Sequence, residues 1–131
     1  VNKVKLSNIP DQYRRHDFYN LLNAVETAIN QAAQGRLFPV TRVDSAYTLS
    51  VDDSTVLVDA TGGAVTITLK SALDCEQKRI TIKKIDSSGN AVTIDADGSE
   101  TIDGAATKSL ASQYNYIELV AEGGAWWIVS N

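Results

Sequence analysis

Methionine is absent from these 131 residues, cysteine and histidine occur once each, and proline occurs twice. Each shortage excludes something. A lone Cys75 forbids an internal disulfide, so folding does not depend on an oxidising compartment. With His16 far from Cys75 in sequence, neither residue has the neighbours that a zinc site requires, and Cys75 reads as a packing residue. No cofactor or metal is expected. A Ser-His-Asp arrangement lacks both a G-x-S-x-G elbow and a histidine outside the helical head, and the glycines are scattered rather than gathered into a phosphate-cradling loop. No apolar run approaches the roughly twenty residues of a membrane span, and no charged-then-apolar leader is present. A soluble protein is expected, its small Val1 following a removed initiator methionine.

Charge is scarce and unevenly placed. The net charge is −4, with six basic against three acidic residues up to Val43 and six against thirteen thereafter. A basic head and an acidic body imply that the two ends meet different surroundings. The acidic body argues against nucleic acid as a partner, because that affinity rests on neutralising phosphates.

From Tyr47 onward short runs alternate. Val65, Ile67 and Leu69 alternate with Thr66, Thr68 and Lys70; Val92 and Ile94 alternate with Thr93 and Asp95; Ile117 and Leu119 alternate with Tyr116 and Glu118. In an extended strand this gives one oily and one wet face. The spacing predicts strands over 47–51, 55–60, 64–70, 79–85, 91–96, 107–111, 114–121 and 125–130. Thr61-Gly62-Gly63, Asp86 to Asn90, Asp97-Gly98, Asp103-Gly104 and Gly123-Gly124 supply turn chemistry between them. Ala64-Val65-Thr66-Ile67 is echoed by Ala91-Val92-Thr93-Ile94. At Lys83-Lys84-Ile85 the alternation would set a lysine on the oily face, so a bulge is expected there.

The head carries the one helical pattern. Phe18, Leu21, Leu22, Val25, Ala28, Ile29 and Ala32 recur at i, i+3, i+4 and i+7, opposite Asn20, Asn23, Glu26, Thr27 and Asn30. Pro10 with Asp11, or Asp17, starts the helix, and Gly35 ends it. A helix of about 26 Å is marginal alone in water. Its stripe therefore packs either on the β-domain of its own chain or on copies of itself in a short coiled coil. The expected architecture is mainly β. Residues 1–35 form an N-terminal arm and helix, 36–46 (with Pro39) a linker, and 47–131 a small antiparallel β-sandwich or barrel-like domain.

Few residues invite chemistry. Asp95, Asp97, Gly98 and Glu100 mimic the start of a calcium loop but lack its twelve-residue ligand set and flanking helices, and read as a solvated turn. Asp52, Asp53 and Asp59 would be paired carboxylates only within a concave site. Trp126 and Trp127, adjacent in a strand, face opposite sides, one core and one exposed. With Tyr114 or Tyr116 the exposed one makes either a subunit interface or a sugar-stacking platform. Arg14-Arg15-His16 is a solvated charged turn or a contact for an acidic partner.

Four stretches carry a resemblance to a known kind of protein: YTLSVDDSTVLVDATGGAVTITL, RITIKKIDSSGNAVTID, GSETIDGAATKSL and the closing WWIV. Their distinctive pieces are Asp52-Asp53-Ser54-Thr55, Lys83-Lys84-Ile85-Asp86, Thr101-Ile102-Asp103-Gly104 and the paired tryptophans. Residues 47–129 resemble a small β-module of bacteriophage virion proteins, found in tail fibres, head fibres and capsid decorations. The resemblance implies a non-enzymatic structural protein, commonly a homotrimer. Phe18, Leu21, Leu22, Val25, Ala28 and Ile29 would then trimerise. The N-terminal segment, through Lys3, Lys5, Arg14 and Arg15, would contact the major capsid protein or another virion protein. The expected location is the capsid surface, with no nucleic-acid or membrane partner. The alternative is a receptor-binding module of a tail fibre, with Tyr114, Tyr116, Trp126 or Trp127 on host surface glycan. A glycan-degrading enzyme would require two carboxylates to meet between subunits.

Overall fold

The computed structural model describes residues 16–34 and 38–131. Its contacts divide the chain into two units, residues 1–37 and 38–131. In the first, helix α1 runs His16–Gln34, 19 residues, where the apolar periodicity predicts it. Phe18, Leu21, Leu22, Val25 and Ile29 are 40–63% exposed, and Ala28 is exposed as well. The apolar side chains recur along the helix as the spacing predicts.

The second unit is built of nine strands: β1 (Val40–Val43), β2 (Tyr47–Thr48), β3 (Thr55–Val58), β4 (Val65–Thr68), β5 (Arg79–Lys84), β6 (Val92–Asp95), β7 (Thr107–Leu110), β8 (Tyr116–Glu122) and β9 (Ala125–Ser130). Two sheets result, a five-stranded one in the order β1-β3-β5-β8-β9 and a four-stranded one in the order β2-β4-β6-β7. Successive strands from β1 to β6 alternate between the sheets. Each therefore lies parallel to the strand two before it: β1 to β3, β3 to β5, β2 to β4 and β4 to β6. Parallel neighbours need a crossover, and here the crossover is the strand in the other sheet. The chain winds as a short two-sheet coil.

This corrects the expectation of an antiparallel domain. Antiparallel pairing is confined to the end of the chain, β6 with β7, β5 with β8 and β8 with β9. Turn chemistry alone does not separate the two cases. Gly123-Gly124 joins β8 to β9 as a two-residue hairpin with both glycines at positive φ (63° and 76°), the conformation such hairpins demand. Residues 59–64 and 85–91 carry similar residue types but turn corners from one sheet to the other. The span read as a linker, 36–46, contains β1.

Stacked coils place like on like. Val65 pairs with Val92, Thr66 with Thr93 and Ile67 with Ile94, so the Ala-Val-Thr-Ile echo is a structural repeat. Between the sheets lies one core, with Val56, Val58, Ile80, Ile82, Ile117, Leu119, Ala121 and Trp126 from one side and Val65, Ile67, Val92, Ile94 and Leu110 from the other. Cys75 joins this core, and burial pushes its thiol pKa up.

No bulge relieves the Lys83-Lys84 slip: β5 runs in unbroken register with β3 through Lys84, opposite Val58. The ladder irregularity falls between Glu118 and Leu119 instead. Lys84 is fully buried, and its ammonium meets Asp86 Oδ2 at 2.6 Å and Ser88 Oγ at 3.4 Å. The alternation was right about the face; the acid that neutralises the lysine lies two residues along the chain.

Candidate functional site

The buried carboxylates of the β unit are committed to holding corners. Asp53 accepts from Thr41 Oγ1 (2.8 Å) on Oδ1 and from Tyr47 OH (2.9 Å) and the Ser50 N–H (2.7 Å) on Oδ2. It ties β1 and β2 to the turn between β2 and β3. Burial works to raise its pKa; the Ser50 N–H, the two hydroxyls and the Lys78 charge outweigh burial and hold it below the usual range. The same bond raises the Tyr47 pKa.

Asp86 does the same for the next corner. Its Oδ1 accepts from the Ala60 N–H (2.7 Å), and its Oδ2 from the Lys84 ammonium, the Ser88 N–H (2.9 Å) and the Ser88 hydroxyl. Asn90 Nδ2 donates to the Ala60 carbonyl (2.8 Å), which also lies 3.1 Å from Ser88 Oγ. Burial opposes ionisation of Asp86, but the ammonium, the hydroxyl and two backbone donors hold its pKa far below the ordinary carboxylate value. Asp59 is held low by the Thr61 hydroxyl and N–H, with Arg42 3.7 Å away. Asp52 is exposed. Glu100, from the calcium-like run, is spent on Ser71 Oγ and the Ala72 N–H, both at 2.8 Å, while Asp97 is exposed in a turn. Among the described residues no three metal-ligating side chains cluster, and no helix is long and apolar enough to cross a membrane.

The aromatic candidates separate. Trp126 is 1% exposed, and its indole donates to the Lys70 carbonyl at 3.1 Å. It belongs to the core and drops out as a contact residue. Trp127, on the opposite face of β9, is 46% exposed, with its indole on the Glu122 carbonyl at 3.0 Å. Adjacent strand residues point apart, so this outcome is the one the alternation requires.

Tyr114 and Tyr116 come together at a different place. With Ser109, Leu110, Asn115 and Asn131 they line a groove of about 450 Å³. Tyr116 begins β8, and its hydroxyl shares a hydrogen bond with Ser130 Oγ at 2.8 Å. Tyr114 stands in the turn from Ser112 to Asn115, closed by Asn115 N–H to the Ser112 carbonyl (3.1 Å) and by Ser112 N–H to Asn115 Oδ1 (2.9 Å). Its φ is +67°, a left-handed backbone that costs an L-residue about 1–2 kcal/mol. The ring does not offset that strain by burial, being 61% exposed. It lies 5.6 Å beneath the Lys83 ammonium, within cation–π range. Alternation placed Tyr114 in a strand. The groove gathers Ser109, Asn115 and Asn131 from three segments, and no sequence signal joins them.

Thr101-Ile102-Asp103-Gly104, one of the distinctive pieces, caps a sheet edge. The Trp126 N–H donates to the Thr101 carbonyl (2.9 Å), the Asp103 N–H to the Trp126 carbonyl (3.0 Å), and the Ile128 N–H to Asp103 Oδ1 (3.1 Å). An apolar edge strand such as β9 otherwise invites pairing with other chains.

The expected trimerisation residues all lie on α1, exposed on its apolar stripe. Lys3, Lys5, Arg14 and Arg15, the expected capsid contacts, lie outside the described residues. Compared with protein-family models and with curated proteins, the chain matches no family and no curated sequence.

Proposed function

We propose that this chain is a non-enzymatic structural subunit of a bacteriophage virion, assembled as a homotrimer through α1. The N-terminal segment attaches to the capsid as a head fibre or decoration protein, and the β unit is displayed outward. The observation that carries this reading is the apolar stripe Phe18, Leu21, Leu22, Val25, Ala28 and Ile29, exposed on a 19-residue helix. A helix of this length is marginal by itself, so it needs a partner for that stripe. In heptad terms Phe18 and Val25 fall at a, Leu21 and Ala28 at d, and Leu22 and Ile29 at e, a band broader than a two-stranded seam that fits a bundle of three and an ordinary amphipathic helix equally well.

Trimerisation makes attachment effective, because three N-terminal segments on symmetry-related capsid sites bind with avidity beyond any one contact. The β unit supports the structural reading in a second way. Its buried carboxylates hold corners and coils together, as Asp53 and Asp86 do.

Leu21→Asp combined with Val25→Asp is expected to dissociate the trimer while the β-type circular dichroism stays intact. A trimer that survives both charges is not organised by α1. Label directed at this chain is expected on heads; label on tails instead favours the rival reading, a receptor-binding module. The exposed Tyr114–Tyr116 groove is the observation that keeps that rival in play.

A further inference from the structure

We propose that the groove between Tyr114 and Tyr116 is a binding site for an acidic carbohydrate, a uronic-acid-bearing glycan. The site would serve the protein in either position on the particle and uses none of the residues of α1. Its failure is therefore separable from failure of the trimer.

The groove combines what a sugar requires. An aromatic face carries partial negative charge and attracts the polarised C–H groups of a pyranose ring, and Tyr114 and Tyr116 expose such faces (61% and 36%). Around them stand groups that exchange hydrogen bonds with hydroxyls: the Ser109 hydroxyl and the Asn115 and Asn131 amides. The Asn115 oxygen is engaged by Ser112 N–H, which fixes the side chain and aims its amide N–H₂ as a donor.

The charge of the ligand follows from Lys83. Its ammonium sits over Tyr114, and among the described residues no carboxylate lies within ion-pair distance of it. Glu118, on the same outer face, is engaged by Arg79 at 2.9 Å. None of the six lining residues is acidic. A glycan carboxylate therefore meets the Lys83 cation, with no acidic side chain among those lining the groove.

The backbone at Tyr114 points the same way. A bulky residue at φ +67°, where glycine or asparagine rests without strain, holds an aromatic ring in water. Strained positions of this kind persist where a function uses them. Here the strain presents the ring at the groove, and the Ser112–Asn115 bonds keep it there.

The test is amide-resolved NMR titration of the full chain with tetragalacturonate and, as the neutral counterpart, maltotetraose. Tetragalacturonate is expected to move the Ser109, Tyr114, Asn115 and Tyr116 amides and to bind about two- to fivefold more tightly than maltotetraose, the gain one exposed ion pair supplies. Lys83→Gln is expected to erase that preference. Tyr114→Gly separates binding from folding. Glycine accepts the left-handed backbone, so the melting temperature should hold or rise while affinity falls at least about fivefold. The proposal is overturned if neither oligosaccharide moves those amides at its solubility limit, or if both bind equally to the unaltered chain. It is equally overturned if Tyr114→Gly binds as before. Tyr116→Ala, with unchanged β-type circular dichroism, is expected to weaken binding as Tyr114→Gly does, and full affinity in that variant also overturns the proposal.

Discussion

The two units of this chain solve the same problem in opposite ways. In the β unit, Ile67, Ile82, Ile94, Leu119 and Trp126 are buried by the sheets' own packing, and even a lysine in the core finds its acid two residues away. In α1 the comparable side chains, Leu21, Leu22, Val25 and Ile29, are roughly half exposed or more. Burial of apolar area is the main favourable term in folding, and the helix lacks that term within its own unit. The β unit buries its own apolar side chains, whereas α1 leaves its apolar stripe to something outside its own unit. Under the proposed function that something is two further copies.

The comparison breaks first if the β core is not what holds that unit together. Trp126→Ala removes the largest fully buried side chain and is expected to cost about 3–5 kcal/mol in denaturant unfolding. It should leave the oligomeric mass unchanged at temperatures below its melting point. A loss under 1 kcal/mol would mean that the sheets do not depend on the packing described.

The corner bonds come next. Asp86 and Asp53 both have folded-state pKa values below their unfolded ones. Their stabilisation is therefore present above the unfolded value, near 3.9, and is lost as pH falls through it toward the folded values. Melting temperatures are expected to hold from pH 7 to about 5 and to drop steeply below about 4. Asp86→Ala should lower the melting temperature at neutral pH, because it strands the buried Lys84 ammonium, and should flatten part of the acid slope. An unchanged acid profile in that variant would place the pH dependence elsewhere.

Surface pairing sets the lower limit. Arg79 and Glu118 meet at 2.9 Å, but Arg79 is largely solvated, so Arg79→Ala is expected to shift stability by less than about 1 kcal/mol. Removal of residues 1–37 should change the unfolding midpoint of residues 38–131 least of all, while abolishing self-association. A truncated chain that fails to fold would erase the distinction between the two units.

Which parts of this were legible beforehand follows from what alternation encodes. Alternation assigns faces, so β3 to β9, the core ladder and the division of Trp126 from Trp127 were readable from residue order. It does not assign partners. Asp59 to Ala64 and Gly123-Gly124 share turn residues, yet one crosses between sheets and the other folds a strand back on its neighbour. The echo of Ala64–Ile67 in Ala91–Ile94 was the signal for stacked parallel coils, too short to decide the topology by itself. β1 was hidden because four residues, Val40 to Val43, directly after Pro39 show too little period to stand out from a linker. The Tyr114 groove lay beyond reach because it depends on a left-handed turn and on segments far apart in the chain.

The most direct test of the central claim is the mass of the intact chain in solution by light scattering after size exclusion. The account predicts three times the chain mass of 14.1 kDa. A clean monomer at the same concentration, with α1 still helical by circular dichroism, would contradict it.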